Sequence, residues 1–223
     1  FVPITLLNVA FPVLAVYHSE SREKLLGATT RFYRALLGVG WPLSVGTVML
    51  APGINGLFDR SAQHQFGPAA AALQILGAGI FLMFTTNAFI AALNAMNRQV
   101  LFSWAAGVSL VVNVGLNLFL IPAYGFRGAA WATNLTELAL LLTGWLMVRR
   151  VLGSVALARV SWRILLAGLL MAGSLYFFRA AHGWQVLLAI LVGMVVYGFG
   201  LFLFRALEPE ELTLARRALL RRA

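Results

Sequence analysis

Long apolar segments separated by short polar connections dominate this chain. The segments lie at about 1–17, 35–58, 69–97, 99–121, 125–148, 164–178 and 184–204. The second runs from Ala35 to Phe58 without a charged residue, which is the length of helix that a hydrocarbon core of roughly 30 Å requires. A β-barrel is excluded because the segments are continuously apolar and do not alternate with polar residues. The pattern predicts an all-α polytopic membrane protein with about seven transmembrane helices.

Basic residues predict the orientation of these helices. Of the 17 Lys and Arg residues, fourteen follow segments one, three, five and seven, and three follow the other segments. Cytoplasmic connections of membrane proteins carry an excess of Lys and Arg. We therefore predict a cytoplasmic C-terminus and place residue 1 on the outer side of the membrane. The same distribution accounts for the net charge of +10 without a nucleic-acid partner.

Polarity divides the chain into three parts. Residues 1–148 contain nearly all of the polar groups within apolar segments, and two prolines in the first segment predict a bent or partial helix there. Residues 149–204 predict an appended, lipid-facing pair of helices. Residues 205–223 predict a basic amphipathic cytoplasmic tail, and residues 18–34 predict a short cytoplasmic helix before the second segment.

The composition lacks the clustered acidic residues, histidines and cysteines that most catalytic sites need. The chain is 61% hydrophobic and 11% charged, and it contains no cysteine, so disulfides and thiolate metal sites are excluded. Of its seven acidic residues only Glu137 lies inside an apolar segment, and the three histidines stand apart at segment ends. Acid–base catalysis and metal binding need groups that converge on one site. We therefore expect neither an enzyme nor a cofactor.

Polar residues inside the apolar segments are the candidate functional residues, because a polar group in a membrane costs free energy unless it has a partner or a water-filled cavity. The candidates for a polar pathway are Asn8, Asn87, Asn94, Arg98, Asn134 and Glu137. Those of the third segment share one helical face. Asparagine also hydrogen-bonds neighbouring helices, so a packing role stays open. Arg98 could anchor its helix end by snorkelling or could meet an anionic substrate.

Glu137 is the only acid embedded in this way. It lies ten residues past Arg127, which places it about 15 Å into the membrane. An intramembrane acid is a functional candidate by default. Its carboxyl group could stay neutral or take up a proton or a cation.

A tight hairpin is predicted between the fourth and fifth segments. Small residues at steps of four after the turn allow the two helices to approach closely, and proline and glycine favour the turn itself. Two asparagines at a step of four suit hydrogen bonding across this hairpin. The structural residues predicted here are Asn113, Asn117, Pro122, Gly125 and Gly128.

Residues 92–142 resemble the C-terminal region of the polysaccharide flippases of the MOP superfamily, the Wzx-like or PST-type exporters. Three features carry the resemblance. A Leu-Asn-Ala stretch ends in a polar residue and Arg within 93–99, an Asn-Leu, Ile-Pro, Tyr-Gly hairpin spans 117–125, and a Gly-Ala-Ala start continues to a glutamate across 128–137. Residues 11–25 and 42–54 resemble the preceding helices and cytoplasmic linker of that family.

The resemblance implies a fold of two six-helix lobes, related to MATE transporters, with two additional C-terminal helices. This chain is then similar to helices eight to fourteen, without the N-terminal half. The implied activity moves an undecaprenyl-diphosphate-linked oligosaccharide to the outer leaflet of a bacterial plasma membrane. The implied partners are this lipid-linked substrate, membrane lipids, and a polysaccharide polymerase or other assembly protein. Arg98 would receive the diphosphate, and Glu137 would pin the lobe or couple to a cation.

Three alternatives stay open. A MATE-type multidrug antiporter shares the fold but needs more embedded acids than one. A lipid II flippase differs mainly in cavity arginines, which the missing half could supply. A non-transporting membrane scaffold for polysaccharide assembly predicts that Glu137→Gln and Asn87→Leu leave export intact.

Overall fold

Seven helices make up the described part of this computed structural model, which covers residues 2–58, 67–153, 155 and 157–206. They confirm the number and order of the seven predicted apolar segments, each of which is a helix. The predicted tail lies outside the described residues beyond residue 206. The helices are α1 (Val2–Glu20), α2 (Arg22–Phe58), α3 (Gly67–Ala95), α4 (Gln99–Tyr124), α5 (Phe126–Val151), α6 (Leu157–Tyr176) and α7 (Trp184–Leu203).

The short helix predicted before the second segment is not a separate element, because α2 is one continuous helix of 37 residues. A helix of that length extends about 55 Å and therefore projects beyond a hydrocarbon core of roughly 30 Å. Ser21 alone separates it from α1, and Ser21 Oγ accepts a hydrogen bond from the Lys24 amide at 3.1 Å. Leu25 and Leu36 are fully buried, so packing continues along the whole first half of α2.

The sixth segment also begins earlier than predicted, at Leu157 and not at residue 164. The sequence hides this first part because Arg159 and Arg163 interrupt the apolar run. Both arginines are exposed, whereas Ser161 and Ile164 are buried. The extra turns are thus amphipathic, and only their inner face belongs to the core.

α2 is the central helix of the bundle, since it packs against α1, α3, α6 and α7. Two glycines bring it close to α3. A Cβ added at Gly40 would lie 2.7 Å from Phe84 Cβ, and one added at Gly77 would lie 2.7 Å from Thr47 Cγ2. Ser44 Oγ donates a hydrogen bond to the Gly77 carbonyl at 2.6 Å. Small residues and interhelical hydrogen bonds of this kind hold membrane helices together.

The last two helices attach to α2 through polar contacts that their apolar sequences do not predict. The hydroxyl groups of Tyr33 and Ser161 lie 3.1 Å apart between α2 and α6. The hydroxyl of Tyr197 on α7 donates a hydrogen bond to the Gly38 carbonyl at 2.8 Å. The pair is therefore docked on the same helix that organises the rest of the bundle.

α5 packs against α3 and α4, whereas α4 contacts only α3 and α5 among the described helices. α4 consequently exposes most of its apolar surface. Within the described residues, α2, α3, α4, α6 and α7 are long and apolar enough to cross a membrane. α1 and α5 fall outside that group, and α5 is the helix that carries Glu137 and half of the hairpin.

Candidate functional site

One face of α3 is left open by its neighbours. One face of α3 packs against α2 through the glycine contacts described above. Another face packs against α5, where Phe89 Cβ lies 3.4 Å from a Cβ added at Gly144. A third face has partly or fully exposed side chains at helical spacing. We call it the open stripe of α3, and it consists of Leu76, Met83, Asn87 and Asn94.

The two asparagines of the open stripe sit at the boundary between core and surroundings. Both are half-buried, whereas Met83 beside them is 43% exposed. Asn87 Nδ2 donates a hydrogen bond to the Met83 carbonyl at 2.7 Å, which leaves the amide oxygen available to accept another. α1 and α5 both pack against α3 without contacting each other in the described residues. The stripe is therefore neither sealed inside the lobe nor fully projecting from it.

Glu137 lies on the face of α5 that approaches α3. It follows Asn134 by three residues and precedes Leu141 and Gly144 by four and seven, which places all four on one side of the helix. Asn134 and Leu141 are buried there, whereas Glu137 is half-buried. Among the described residues the only ion pair joins Lys24 and Glu20. The Glu137 carboxylate thus has no cationic partner within this part of the chain.

The outward face of α5 is apolar from Trp131 to Leu146, in contrast to the open stripe. Its exposed side chains form a continuous aliphatic and aromatic surface, as expected for contact with lipid tails. They are Trp131, Leu135, Leu138, Leu142 and Leu146.

Asn134 is used for helix packing. Its side chain is 8% exposed, and its Nδ2 donates a short hydrogen bond to the Ile75 carbonyl of α3. Gly79 makes room for it, because a Cβ at that position would collide with the Asn134 amide. A role for Asn134 in a transport pathway stays a prediction, but its amide is already committed within this lobe.

The hairpin asparagines link α4 to α5. Asn113 Nδ2 donates a hydrogen bond to Thr136 Oγ1 at 3.1 Å, and Asn117 Nδ2 donates to Asn113 Oδ1 at 3.0 Å. The Thr136 hydroxyl in turn donates to the Ala132 carbonyl at 2.7 Å. Each half-buried amide is therefore part of a chain of hydrogen bonds, which is how polar groups are accommodated between membrane helices.

The turn of the hairpin is one residue long. Gly125 separates the two helices with φ +57°, a left-handed conformation that favours glycine, and its amide donates to the Ile121 carbonyl at 2.8 Å. Pro122 was predicted to share this turn, but it lies inside the last turn of α4. Gly128 then meets the Leu120 backbone so closely that no Cβ would fit.

Arg98 and Asn8 lie away from these contacts. Arg98 is exposed at the start of α4, and Asn8 is exposed on α1. Asn97 before Arg98 adopts φ +54°, and the Arg98 amide donates to the Leu93 carbonyl at 2.8 Å. This is the C-terminal cap of α3, a role that asparagine after an apolar helix can signal. The sequence prediction missed it.

No group of three or more His, Asp or Glu residues could hold a metal ion in the parts of the chain that the structure describes. The polar groups described above are amides, hydroxyls and the Glu137 carboxylate. Such groups can bind and orient a polar solute.

Comparisons with known proteins identify the family. A family model described as "Lipid II flippase MurJ" matches residues 1–202. Among solved structures, the chain is similar to "Lipid II flippase MurJ, inward closed conformation", with a TM-score of 0.73 and 19% sequence identity. The match covers 92% of this chain and 44% of that chain, so this chain spans less than half of the solved flippase. At that identity the likeness concerns the fold. No curated protein sequence matches.

These matches correct the branch that the sequence resemblance named. The Wzx-like or PST-type assignment is not supported, and the lipid II flippase kept as an alternative fits better. The hairpin and capping motifs that carried the resemblance shape helix ends and helix contacts, so they mark a fold and carry little information about the sugar. The chain belongs to the lipid II flippase MurJ family, a family of transporters and not of enzymes.

Proposed function

We propose that this chain is the C-terminal lobe of a flippase that moves a peptidoglycan precursor of the lipid II type from the cytoplasmic to the outer leaflet. Membership of the family over residues 1–202 supports this reading, and makes the chain part of a multi-pass protein of the bacterial inner membrane. The match covers 44% of the solved flippase, which fits one lobe. The cytoplasmic position of the C-terminus rests on the distribution of arginines.

The open stripe of α3 is the observation on which the proposal rests. A helix face that meets lipid tails is expected to be apolar, as the outward face of α5 is. The open stripe instead carries two half-buried amides within a helix that is long and apolar enough to cross a membrane. Polar side chains that are neither lipid-facing nor sealed typically line a water-filled cavity. The opposite wall of that cavity would come from the remainder of a longer protein.

The amides of Asn87 and Asn94 would act as adaptable hydrogen-bonding groups for a sugar–peptide headgroup. Each amide both donates and accepts, so it can exchange water for a hydroxyl or a peptide group as the headgroup passes. The polyprenyl tail would remain in the lipid. Movement of this kind forms and breaks no covalent bond, and it requires no converging acid and base.

Glu137 would act at the interface between α3 and α5. Its half-buried carboxylate has no cationic partner in the described residues, so it could bind a cation or a proton as the interface rearranges. A purely structural role as a hydrogen-bond acceptor within the assembled protein accounts for the same geometry. A Glu137→Gln variant distinguishes ion binding from the structural role, because the amide keeps the shape of the side chain and removes its charge.

Complementation tests the proposal directly. The full-length protein that contains this chain is expressed in a bacterium whose own lipid II flippase is depleted, and outward-exposed lipid II is measured. We expect rescue by the wild type and at least about tenfold less exposed lipid II with Asn87→Leu and Asn94→Leu combined, as the loss of two hydrogen bonds of ~1 kcal/mol each implies. Ser103→Leu, which replaces an exposed polar residue of α4, is the matched control and keeps activity.

Two outcomes contradict the proposal. Restoration of surface polysaccharide export without restoration of lipid II exposure would assign the substrate to the other branch of the superfamily. Full activity of the double asparagine variant would show that these two amides do not line the transport pathway.

A further inference from the structure

A second cleft lies between α1 and the first half of α2, apart from the open stripe. It consists of two adjacent cavities whose linings share Tyr17 and Arg31. One has a volume of about 380 Å³ and is lined almost wholly by apolar side chains between Leu6 and Ala35. The other, about 520 Å³, forms a charged mouth with Glu23 and Lys24.

The apolar cavity has the length of one lipid leaflet. Along α1 it runs from Leu6 to Tyr17, which is about 16 Å at the helical rise of 1.5 Å per residue. Half of a hydrocarbon core of roughly 30 Å is about 15 Å. Tyr17 stands where the apolar cavity meets the charged mouth, the level at which amphipathic aromatic rings sit in membrane proteins. The cleft therefore matches one acyl chain with its headgroup at the turn between α1 and α2.

The mouth offers one free charge of each sign. Lys24 Nζ is paired with Glu20 Oε2 at 2.5 Å, so these two charges compensate each other. Arg31 and Glu23 are exposed and form no ion pair within the described residues. Gly27 between them leaves space, since no atom lies within 4 Å of a Cβ added there. A purely anionic headgroup would meet Glu23 unfavourably, whereas a headgroup with a phosphate and an ammonium complements both side chains.

We propose that this cleft binds a membrane phospholipid of the phosphatidylethanolamine type. The acyl chain would lie in the apolar cavity along α1, the phosphate would meet Arg31, and the ammonium group would meet Glu23. This site is separate from the open stripe and does not rest on the proposed transport function. Occupancy would fill the space that remains between α1 and the first half of α2.

Lipid retention measures this site without any transport assay. The full-length protein is extracted from nanodiscs containing equal amounts of phosphatidylethanolamine and phosphatidylglycerol, and the retained lipid is quantified by native mass spectrometry. We expect retention of phosphatidylethanolamine in preference to phosphatidylglycerol. Arg31→Gln reduces the retained phospholipid about tenfold, because it removes a charge-assisted hydrogen bond. Glu23→Gln abolishes the preference between the two lipids, and Arg150→Gln, an exposed arginine at the end of α5, changes neither quantity.

Four results would overturn the proposal. One is the absence of retained phospholipid, a second is retention that Arg31→Gln leaves unchanged, and a third is a preference for phosphatidylglycerol in the wild type. A crosslink from Ala10→Cys to another segment of the longer protein would also contradict it, because a protein helix would then occupy the apolar cavity.

Discussion

Gly128 gives the sharpest prediction about how this lobe is held together. In Gly128→Ala the new methyl group would lie 2.5 Å from the Leu120 carbonyl carbon and 3.1 Å from the Ile121 nitrogen. The first distance is roughly 1 Å shorter than an ordinary van der Waals contact. The atoms in the way belong to the backbone of α4, so no side chain can rotate aside. The two arms of the hairpin must separate at this point.

The expected cost has two parts. Overpacking of a close contact typically destabilises a protein by about 1–3 kcal/mol. Separation of the arms also stretches the bond from Asn113 to Thr136, 3.1 Å long, and interhelical hydrogen bonds in membranes contribute about 0.6 kcal/mol on average. Alanine also gains about 0.8–1.0 kcal/mol of helix propensity over glycine, so we expect Gly128→Ala to lower the free energy of unfolding by roughly 0.6–2.8 kcal/mol.

Denaturation of the full-length protein in mixed detergent micelles measures this loss. Gly107→Ala is the matched control, because no atom lies within 4 Å of a Cβ at Gly107 on the same hairpin. Alanine is favoured over glycine in a helix by about 0.8–1.0 kcal/mol, so the control is neutral or more stable. Equal stability of the two variants would refute the close approach of the hairpin arms.

Two further contacts make predictions of the same kind. Gly168→Ala should weaken the packing of α6 on α2, because its Cβ would collide with the Trp41 indole. We expect the free energy of unfolding to fall by about 1–3 kcal/mol in the same assay. Gly173→Ala is the control and should show no loss, because its Cβ would meet open space. Gly79→Ala and Asn134→Ala should each destabilise the packing of α3 against α5. The double variant should lose about 0.5–3 kcal/mol less than the sum of the two single losses, because truncation of Asn134 removes its collision with the new methyl group at position 79. Additive losses would contradict this contact.

The sequence was sufficient for the order of the helices because a long apolar segment marks most of each one. It placed seven helices in order, and it predicted a hairpin at the Gly125 turn. It misplaced the starts of α2 and α6, because those parts are amphipathic and their exposed arginines interrupt the apolar run. Periodicity toward a buried face, as at Leu25 and Leu36, was the signal that could have found them.

The candidate site was less accessible to sequence reasoning. Spacing placed Asn87 and Asn94 on one face of α3, and the structure shows that α2 and α5 leave this face open. Spacing also placed Asn134 beside Glu137, but it could not show that the Asn134 amide reaches the Ile75 carbonyl on another helix. Which polar group faces a neighbour and which faces a cavity depends on helix packing, and packing depends on contacts far apart in the chain.

Thiol accessibility tests the central claim, that the open stripe of α3 faces water. The chain contains no cysteine, so single cysteines can be introduced into a cysteine-free full-length protein and exposed to a membrane-impermeant maleimide in open membranes. The account predicts that Asn87→Cys and Asn94→Cys react and that a lipid II analogue slows the reaction, while Leu142→Cys on the apolar face of α5 stays unlabelled. If the two asparagine positions remain as unreactive as position 142, no water-filled passage runs along α3.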